Sequence, residues 1–370
     1  MKIKEAEDFE SIREIWNPLL RKNMFGNNIF FTWEWLSIWW KHFGEKRKLM
    51  VLTAEEENEV LAIAPLMLSK YRLPGFGTIR KIEFLGTRHS DYNNFIISKK
   101  ENECIRHMLD YLYETEDWDW IELKEMPENI NYSKQLFADS SLKLDIKERV
   151  CNLCPYVALP KTFESLKKTF SRNLRQNLSR YSRKIQENHN VDLKRFDEAG
   201  FSVKEAMDIF VRLHELKWKS EGKPGAFVED SFRNFHVDVA ESLAQNGWLT
   251  LYFLMADDEP VSCQYNFMYE QKMYYYLAGF LPQYSSYSVG TLTIMLILKR
   301  CIESGLNEYD FMRGDEAYKT MWTNKFRRNF EIRLVPKNIQ SRFYNWVTWS
   351  RPLSNFAEKL HLSLKKNDVC

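Results

Sequence analysis

Apolar residues recur along this chain at two spacings, and the second half shows them most plainly. Val191–Phe196 alternates with period two and predicts a short strand. Ser202 then stands as an N-cap before Val203, Met207, Phe210, Val211, His214 and Trp218, a spacing near the 3.6 of a helix. A second helix opens at Ser231, runs through Phe232, Phe235, Val239 and Leu243, and stops at Asn246-Gly247. Three strands follow, Trp248–Ala256, Pro260–Tyr269 and Lys272–Ala278, with turns at Asp257-Asp258-Glu259 and Glu270-Gln271, which predicts an antiparallel meander. After a loop over Gly279–Tyr287 come a helix Val289–Glu303, a strand Glu308–Met312, a short helix Asp315–Asn324 and a last strand Phe330–Val335.

The first half repeats this succession in weaker form. Strands are expected at Met1–Lys4, Leu49–Ala54, Val60–Ser69, Arg80–Leu85, Asn93–Ile97 and Trp118–Lys124, and helices at Phe9–Arg21, Thr32–Phe43 and Cys104–Glu114. Recurrence of one order over both halves indicates duplication and an α/β fold with a mixed sheet. It suggests domains at 1–155 and 156–337 and a helical tail over 338–370. Two domains also suit 370 residues.

Composition narrows the classes. Fifty-three Lys and Arg against 51 Asp and Glu leave a net charge of +2, so no global field marks a nucleic-acid binder. Six scattered cysteines do not make a disulfide scaffold, and Cys151-Asn152-Leu153-Cys154 lacks the second pair that a zinc site requires. The charged start MKIKEAEDFE has no signal-peptide core, and an apolar run such as Leu292–Leu298, with Thr293 inside it, falls far short of a membrane span. The expected compartment is the cytoplasm. There is no G-x-S-x-G elbow and no HExxH, so neither a hydrolase nucleophile nor a metal centre is expected.

One segment departs from neutrality. Lys161–Asn190 holds eight Lys and Arg against two acids, with Phe163, Leu166, Phe170, Leu174, Tyr181 and Ile185 at helical spacing. This predicts an amphipathic helix whose basic face is either simply solvated or meets phosphates of a coenzyme, a phosphorylated acceptor, an anionic lipid or RNA. In the tail, Phe343, Tyr344, Trp346, Val347 and Trp349 precede Arg351-Pro352 and predict a helix docked on the domains or lying at a membrane surface.

The run Ser288-Val289-Gly290-Thr291-Leu292, then Cys301–Gly305, then Tyr309–Lys319 and Trp322 resembles the C-terminal half of GNAT-fold proteins. Among these it is most similar to the BioF2-like or CelD-like N-acyltransferases, relatives of the FemAB peptidyltransferases. In the first half, Phe31–Trp35, Ala64-Pro65-Leu66, Phe84-Leu85-Gly86 and Ser90-Asp91-Tyr92 resemble that group's N-terminal copy. The resemblance implies tandem GNAT-like acyltransferase domains over about 330 residues. It implies acyl-CoA, acetyl or longer, as co-substrate and no metal. It also implies an amine acceptor that is a small molecule, an amino sugar, or a glycan or peptide of the cell envelope or a polysaccharide precursor.

Roles can be assigned within that frame. Ser288, Val289, Gly290 and Thr291 open a helix whose unpaired N–H groups suit a diphosphate, and Arg313 is grouped with them. The equivalent place in the first copy, Ile97–Glu101, lacks glycine, so the donor is expected in the second copy only. Lys319 is the candidate charge stabiliser for the carbonyl oxygen or a phosphate. Asp315 or Glu316 is the candidate acceptor of the amine proton, and Tyr318 the candidate donor to the departing thiolate. Asp315 equally suits a plain N-cap. Trp33, Asp91, Tyr92, His214 and Trp218 are the acceptor-site candidates. Two alternatives stand beside this reading: a FemAB-like transferase using aminoacyl-tRNA, and a catalytically silent binding subunit of an envelope-polymer assembly. Peripheral contact with the inner face of the membrane through the tail is compatible with either.

Overall fold

The computed structural model describes residues 1–73, 77–115, 117–128, 144–338, 341 and 345. The expected tail helix therefore lies outside the described residues. The chain divides into two compact units, one of Met1–Gly26, Gly44–Cys151 and Phe330–Cys370, the other of Asn27–Phe43 and Asn152–Asn329.

In the first unit, strands β1 (Lys2–Glu5), β2 (Arg47–Glu56), β3 (Glu59–Leu73) and β4 (Gly77–Phe84) are antiparallel neighbours. The short β5 (Ile96–Ile97) pairs with β3, and β6 (Trp120–Pro127) runs parallel to β4. The sheet is completed by residues 330–336 of β13 (Phe326–Pro336) and the first part of β7 (Leu144–Ala158). Helices α1 (Arg13–Arg21) and α3 (Glu101–Thr115) belong to this unit. Met108, Leu109 and Leu112 of α3 bury their apolar stripe in a core with Leu52, Ala62, Ile82 and Leu123.

The second unit starts from α2 (Trp33–Phe43) and the end of β7. It continues with α4 (Phe163–Thr169), α5 (Arg172–Gln186), β8 (Val191–Arg195), α6 (Val203–Ser220) and α7 (Asp230–Gln245). The meander β9 (Leu249–Ala256), β10 (Glu259–Tyr269) and β11 (Lys272–Phe280) leads to α8 (Val289–Glu303), β12 (Glu308–Asp310) and α9 (Ala317–Thr320). Its sheet order is β8-β9-β10-β11-β12-β7, antiparallel except for β11 beside β12. The two-residue turns Asp257-Asp258 and Glu270-Gln271 have φ of 52° and 64° and of 47° and 61°. Left-handed values at both positions match the twist of a tight hairpin, so the meander is locally specified. Ser202 caps α6 through a reciprocal capping box with Glu205.

The duplicated order is present, but the units do not follow the copies as read along the chain. Residues 27–43, expected within 1–155, cluster with the second unit, and residues 330–336, expected within 156–337, cluster with the first. The physical reason is legible in α2. Trp35 is fully buried, with its ring 5.3 Å from Phe235 of α7 and 5.5 Å from Phe267 of β10. Lys41 and His42 both reach the Asp238 carboxylate at 2.7 Å. Burial opposes ionisation of Asp238, but these two hydrogen bonds hold it below the usual carboxylate value. Four further differences are local. The boundary near residue 155 falls inside the single strand β7, and the basic segment is two helices, separated at Phe170-Ser171, where one was expected. The helix at Asp315–Asn324 is only the four residues of α9, and the strand Asn93–Ile97 shrinks to Ile96–Ile97.

Replacing Trp35 with alanine removes a side chain with no exposed surface, and large-to-small changes of this kind cost about 3–5 kcal/mol. Denaturant titration followed by hydrogen exchange is expected to show the loss in α7 and β10, although residue 35 lies in the first copy.

Candidate functional site

The site begins where two parallel strands part. β11 and β12 are paired only at Lys272↔Glu308, Met273↔Tyr309 and Tyr274↔Asp310. Beyond Asp310 the chain turns away: its carboxylate accepts the Met312 N–H at 2.8 Å, and Met312 adopts φ of 65°. Arg327 ion-pairs with Asp310 and Glu308 and fixes the strand's end. β11 meanwhile keeps its pairing with β10 as far as Ser262↔Phe280, with a register shift at Tyr265/Asn266 that leaves Tyr276 as an extra residue. Among the described residues the outer half of β11 is thus left without a strand neighbour on its β12 side, and a cavity of about 410 Å³ opens there.

Strand alternation shows that this cavity reaches both faces of the sheet. Tyr265 packs on Phe210 of α6 and His236 of α7, whereas Ser262, an odd number of residues away, accepts from Thr293 of α8. The lining includes His214 and Trp218 from the first face, and Ser262, Gln264 and Ile294 from the second.

At one end of the cavity stands the N-terminus of α8. Ser288 precedes it in the left-handed conformation, φ 54° and ψ 44°, and its side chain does not cap the helix. The first intrahelical bond is Leu292 N–H to Ser288 O at 3.1 Å. Among the described residues the N–H groups of Val289, Gly290 and Thr291 have no acceptor, and no acid occupies the first turn. Basic residues of α5 flank this end. Lys184 donates to Ser286 O at 3.0 Å, and the Tyr181 hydroxyl bonds the Ser288 side chain and Arg180, which lowers its pKa. The corresponding helix of the first unit, α3, also follows a left-handed residue, Lys100 at φ 55°, but carries Glu101 and Glu103 in its first turn. Those carboxylates already satisfy the positive helix end and would repel a diphosphate.

Near the parting point stand Tyr275, Tyr318 and Glu316. The tyrosine rings lie 6.2 Å apart and their hydroxyls are hydrogen-bonded partners. Burial pushes Tyr275 up to about 12. Although 40% of Tyr318 is exposed, the desolvated hydroxyl and its Tyr275 neighbour raise it as well, so both phenols keep their protons at neutral pH. Glu316 lines the cavity with a largely exposed carboxylate 3.0 Å from Lys319 Nζ.

The candidate residues are thus only partly gathered. Ser288, Val289, Gly290, Thr291, Glu316, Tyr318, His214 and Trp218 line the cavity. Lys319, expected to stabilise a carbonyl oxygen, is 5% exposed and turned inward, donating to Arg313 O at 2.6 Å and pairing with Glu316. It braces the 313–319 loop and is not part of the lining. Asp315 is exposed and outside the lining, and the N-cap of α9 is Glu316, so Asp315 does not serve as the cap either. Arg313 and Trp33 are half-buried in the second unit, also outside the lining. Asp91 and Tyr92 are buried in the first unit.

His214 touches the cavity but is not a free base. Its Nε2 accepts the Ala226 N–H at 3.3 Å, which leaves the proton on Nδ1 to donate to Ala278 O at 2.9 Å. Burial lowers its pKa, so the ring is a neutral strut between α6, β11 and the 226–228 turn. Gly279 explains how the strut is so close: a Cβ there would overlap the backbone of Leu213 and His214. Sequence reading passed over Tyr275, Gly279 and Gln264; Gly279 was expected to open the loop Gly279–Tyr287, and its place inside β11, with its close backbone approach, came only with the structure.

The sequence profile described as "Acetyltransferase (GNAT) domain" matches residues 172–320. No curated protein matches the chain in sequence. Among solved structures the chain is similar to FemX, at TM-score 0.65 and 12% identity, covering 94% of this chain and 100% of that one. It is also similar to L-PGS from Bacillus licheniformis, at TM-score 0.53 and 13% identity, covering 91% and 95%. A third likeness is a conserved protein of unknown function from Bacteroides thetaiotaomicron, at TM-score 0.57 and 9% identity, covering 90% and 100%. At such identities the likeness is one of fold. Residues 172–320 match the GNAT acetyltransferase domain, and the chain as a whole shares its fold with FemX.

Gly279→Ala is expected to force α6 off β11 and to lower stability by about 1–3 kcal/mol, measured by thermal unfolding. In an NMR titration the His214 ring is expected to protonate below the usual histidine value. Its contribution to stability is then fully present above the unfolded value near pH ~6.5 and falls as the pH drops below it.

Proposed function

We propose that the second unit transfers an acyl group from a coenzyme A thioester, bound through the parted strands, to an amine. The observation that carries this reading is one cavity with an uncapped helix N-terminus at one end and a protonated tyrosine pair with a carboxylate near the other. The N–H groups of Val289, Gly290 and Thr291, with Lys184 and Arg180 nearby, suit the diphosphate. The cavity suits the thioester-bearing arm.

Each residue then has a defined task. The amine nitrogen attacks the thioester carbonyl, the new C–N bond forms and the C–S bond breaks. Glu316, ion-paired with Lys319, takes the proton the amine loses, directly or through water. Tyr318 gives its proton to the departing sulfur, and Tyr275 keeps the Tyr318 hydroxyl oriented. Trp218, with Lys217 Nζ 3.4 Å from its ring centroid, and Glu221 offer an aromatic and polar surface to the acceptor. An amino sugar or a cell-envelope or polysaccharide precursor fits such a surface, with the reaction on the cytoplasmic side and the tail as a membrane contact.

Calorimetric titration with acetyl-CoA, a longer acyl-CoA and free CoA is expected to give saturable binding. Gly290→Arg fills the space beside the free N–H groups and is expected to abolish it; unchanged affinity in that variant removes the assignment of the helix start. Tyr318→Phe is expected to lower kcat by about 10²-fold or more with little change in KM, read from a thiol-release assay.

The basic face of α5 beside the same helix start favours one second reading, aminoacyl-tRNA as the donor. It predicts tRNA binding that weakens steeply with salt and no affinity for CoA.

A further inference from the structure

The α8 side of the cavity carries a polar group that the transfer chemistry leaves unused. Gln264 of β10 is 1% exposed and lines the cavity. By register it lies opposite Ala278, while Ser262 lies opposite Phe280, nearer the helix start. Ser262 is already engaged with the Thr293 hydroxyl at 2.9 Å. Gln264 is engaged on one side only.

Its Oε1 lies 2.9 Å from the hydroxyl of Tyr309, a phenol with no exposed surface. Desolvation holds that phenol well above its ordinary value, so it is always protonated. Gln264 is the only partner of this hydroxyl among the described residues. If the amide were reversed, its N–H would point at the phenol oxygen and the phenol proton would be stranded in the core without an acceptor, which is strongly disfavoured. The amide is therefore pinned with Oε1 toward Tyr309 and its NH2 group away from it. Among the described residues nothing accepts from that nitrogen, and it is not one of the enclosed, unpartnered atoms either. Its free side is the cavity that the residue lines.

We infer that Gln264 is a substrate-binding residue whose amide donates to an uncharged carbonyl or hydroxyl oxygen of the donor, between the helix start and the tyrosine pair. The inference rests on the thioester reading above and adds a specificity to it. A mostly apolar cavity with one fixed, unanswered donor discriminates against a ligand that brings no oxygen there, because the NH2 group would then stay unpaired. Two parts of a coenzyme A thioester can bring one: an amide carbonyl of the arm, or a polar substituent on the acyl group. Tyr309 is the positioning residue that keeps the amide facing the right way.

The test is calorimetry with free CoA, acetyl-CoA and 3-hydroxybutyryl-CoA on the full chain, using two variants. Gln264→Leu combined with Tyr309→Phe removes the donor without stranding the phenol proton. Gln264→Glu keeps an acceptor for Tyr309 but replaces the amide donor with an oxygen. Thermal unfolding confirms that each variant is folded. The expected result is affinity weakened about tenfold for at least one ligand in both variants. An equal loss for all three assigns the arm carbonyl, and a loss confined to the hydroxyacyl thioester assigns the acyl substituent. Affinities matching the unaltered protein for all three ligands in either folded variant overturn the inference. If the unaltered protein binds none of the three, the thioester reading itself fails, which is a different result.

Discussion

The three-residue ladder between β11 and β12 is the constraint from which the rest of the second unit follows. If the parallel pairing continued past Tyr274 and Asp310, the sheet would be closed and no ligand could pass between its faces. The break is built by ordinary means. Asp310 ends its strand by taking the Met312 N–H, and Arg327 neutralises Asp310 and Glu308, which would otherwise be adjacent buried carboxylates on one short strand. On the other side, the register shift in β10 and β11 lets Tyr275 and Tyr276 reach positions that a regular strand would not give both of them. The cavity is thus a consequence of backbone geometry, and the side chains around it refine what it holds.

The first unit shows what happens when the same plan is used without those refinements. It has the four antiparallel strands, the parallel fifth and a helix that follows a left-handed residue. Its parallel pair is filled with charge instead of space. Lys81 bridges Glu83 and Glu122, and Arg333 pairs with Glu122 and Glu331. Burial disfavours the Lys81 ammonium, but the two carboxylates outweigh it and keep the group charged. Breaking one partner of such a buried network leaves an uncompensated charge, so this face is committed to holding the unit together.

Much of this was legible in the chain. The α8 boundaries, the Ser202 cap, both hairpin turns and the Ser288–Thr291 helix start all depend on neighbours within a few residues, where propensity and turn chemistry act directly. The inward turn of Lys319 was not legible, since a lysine past a strand end reads the same whether it faces substrate or a backbone carbonyl six residues away. The inertness of His214 was equally hidden, because its partners Ala226 and Ala278 contribute backbone atoms that any residue would supply.

By itself, then, the sequence determined the order of elements, their duplication and the place where the helix after Ser288 starts, because each is encoded in local spacing and capping. Only the tertiary structure decided which segments share a core, that α2 docks on Phe235 and Phe267, and that Tyr275, Gln264 and Tyr318 meet at one cavity. Those outcomes turn on burial and on strand register between residues tens of positions apart, where one residue of slip would send each side chain to the opposite face.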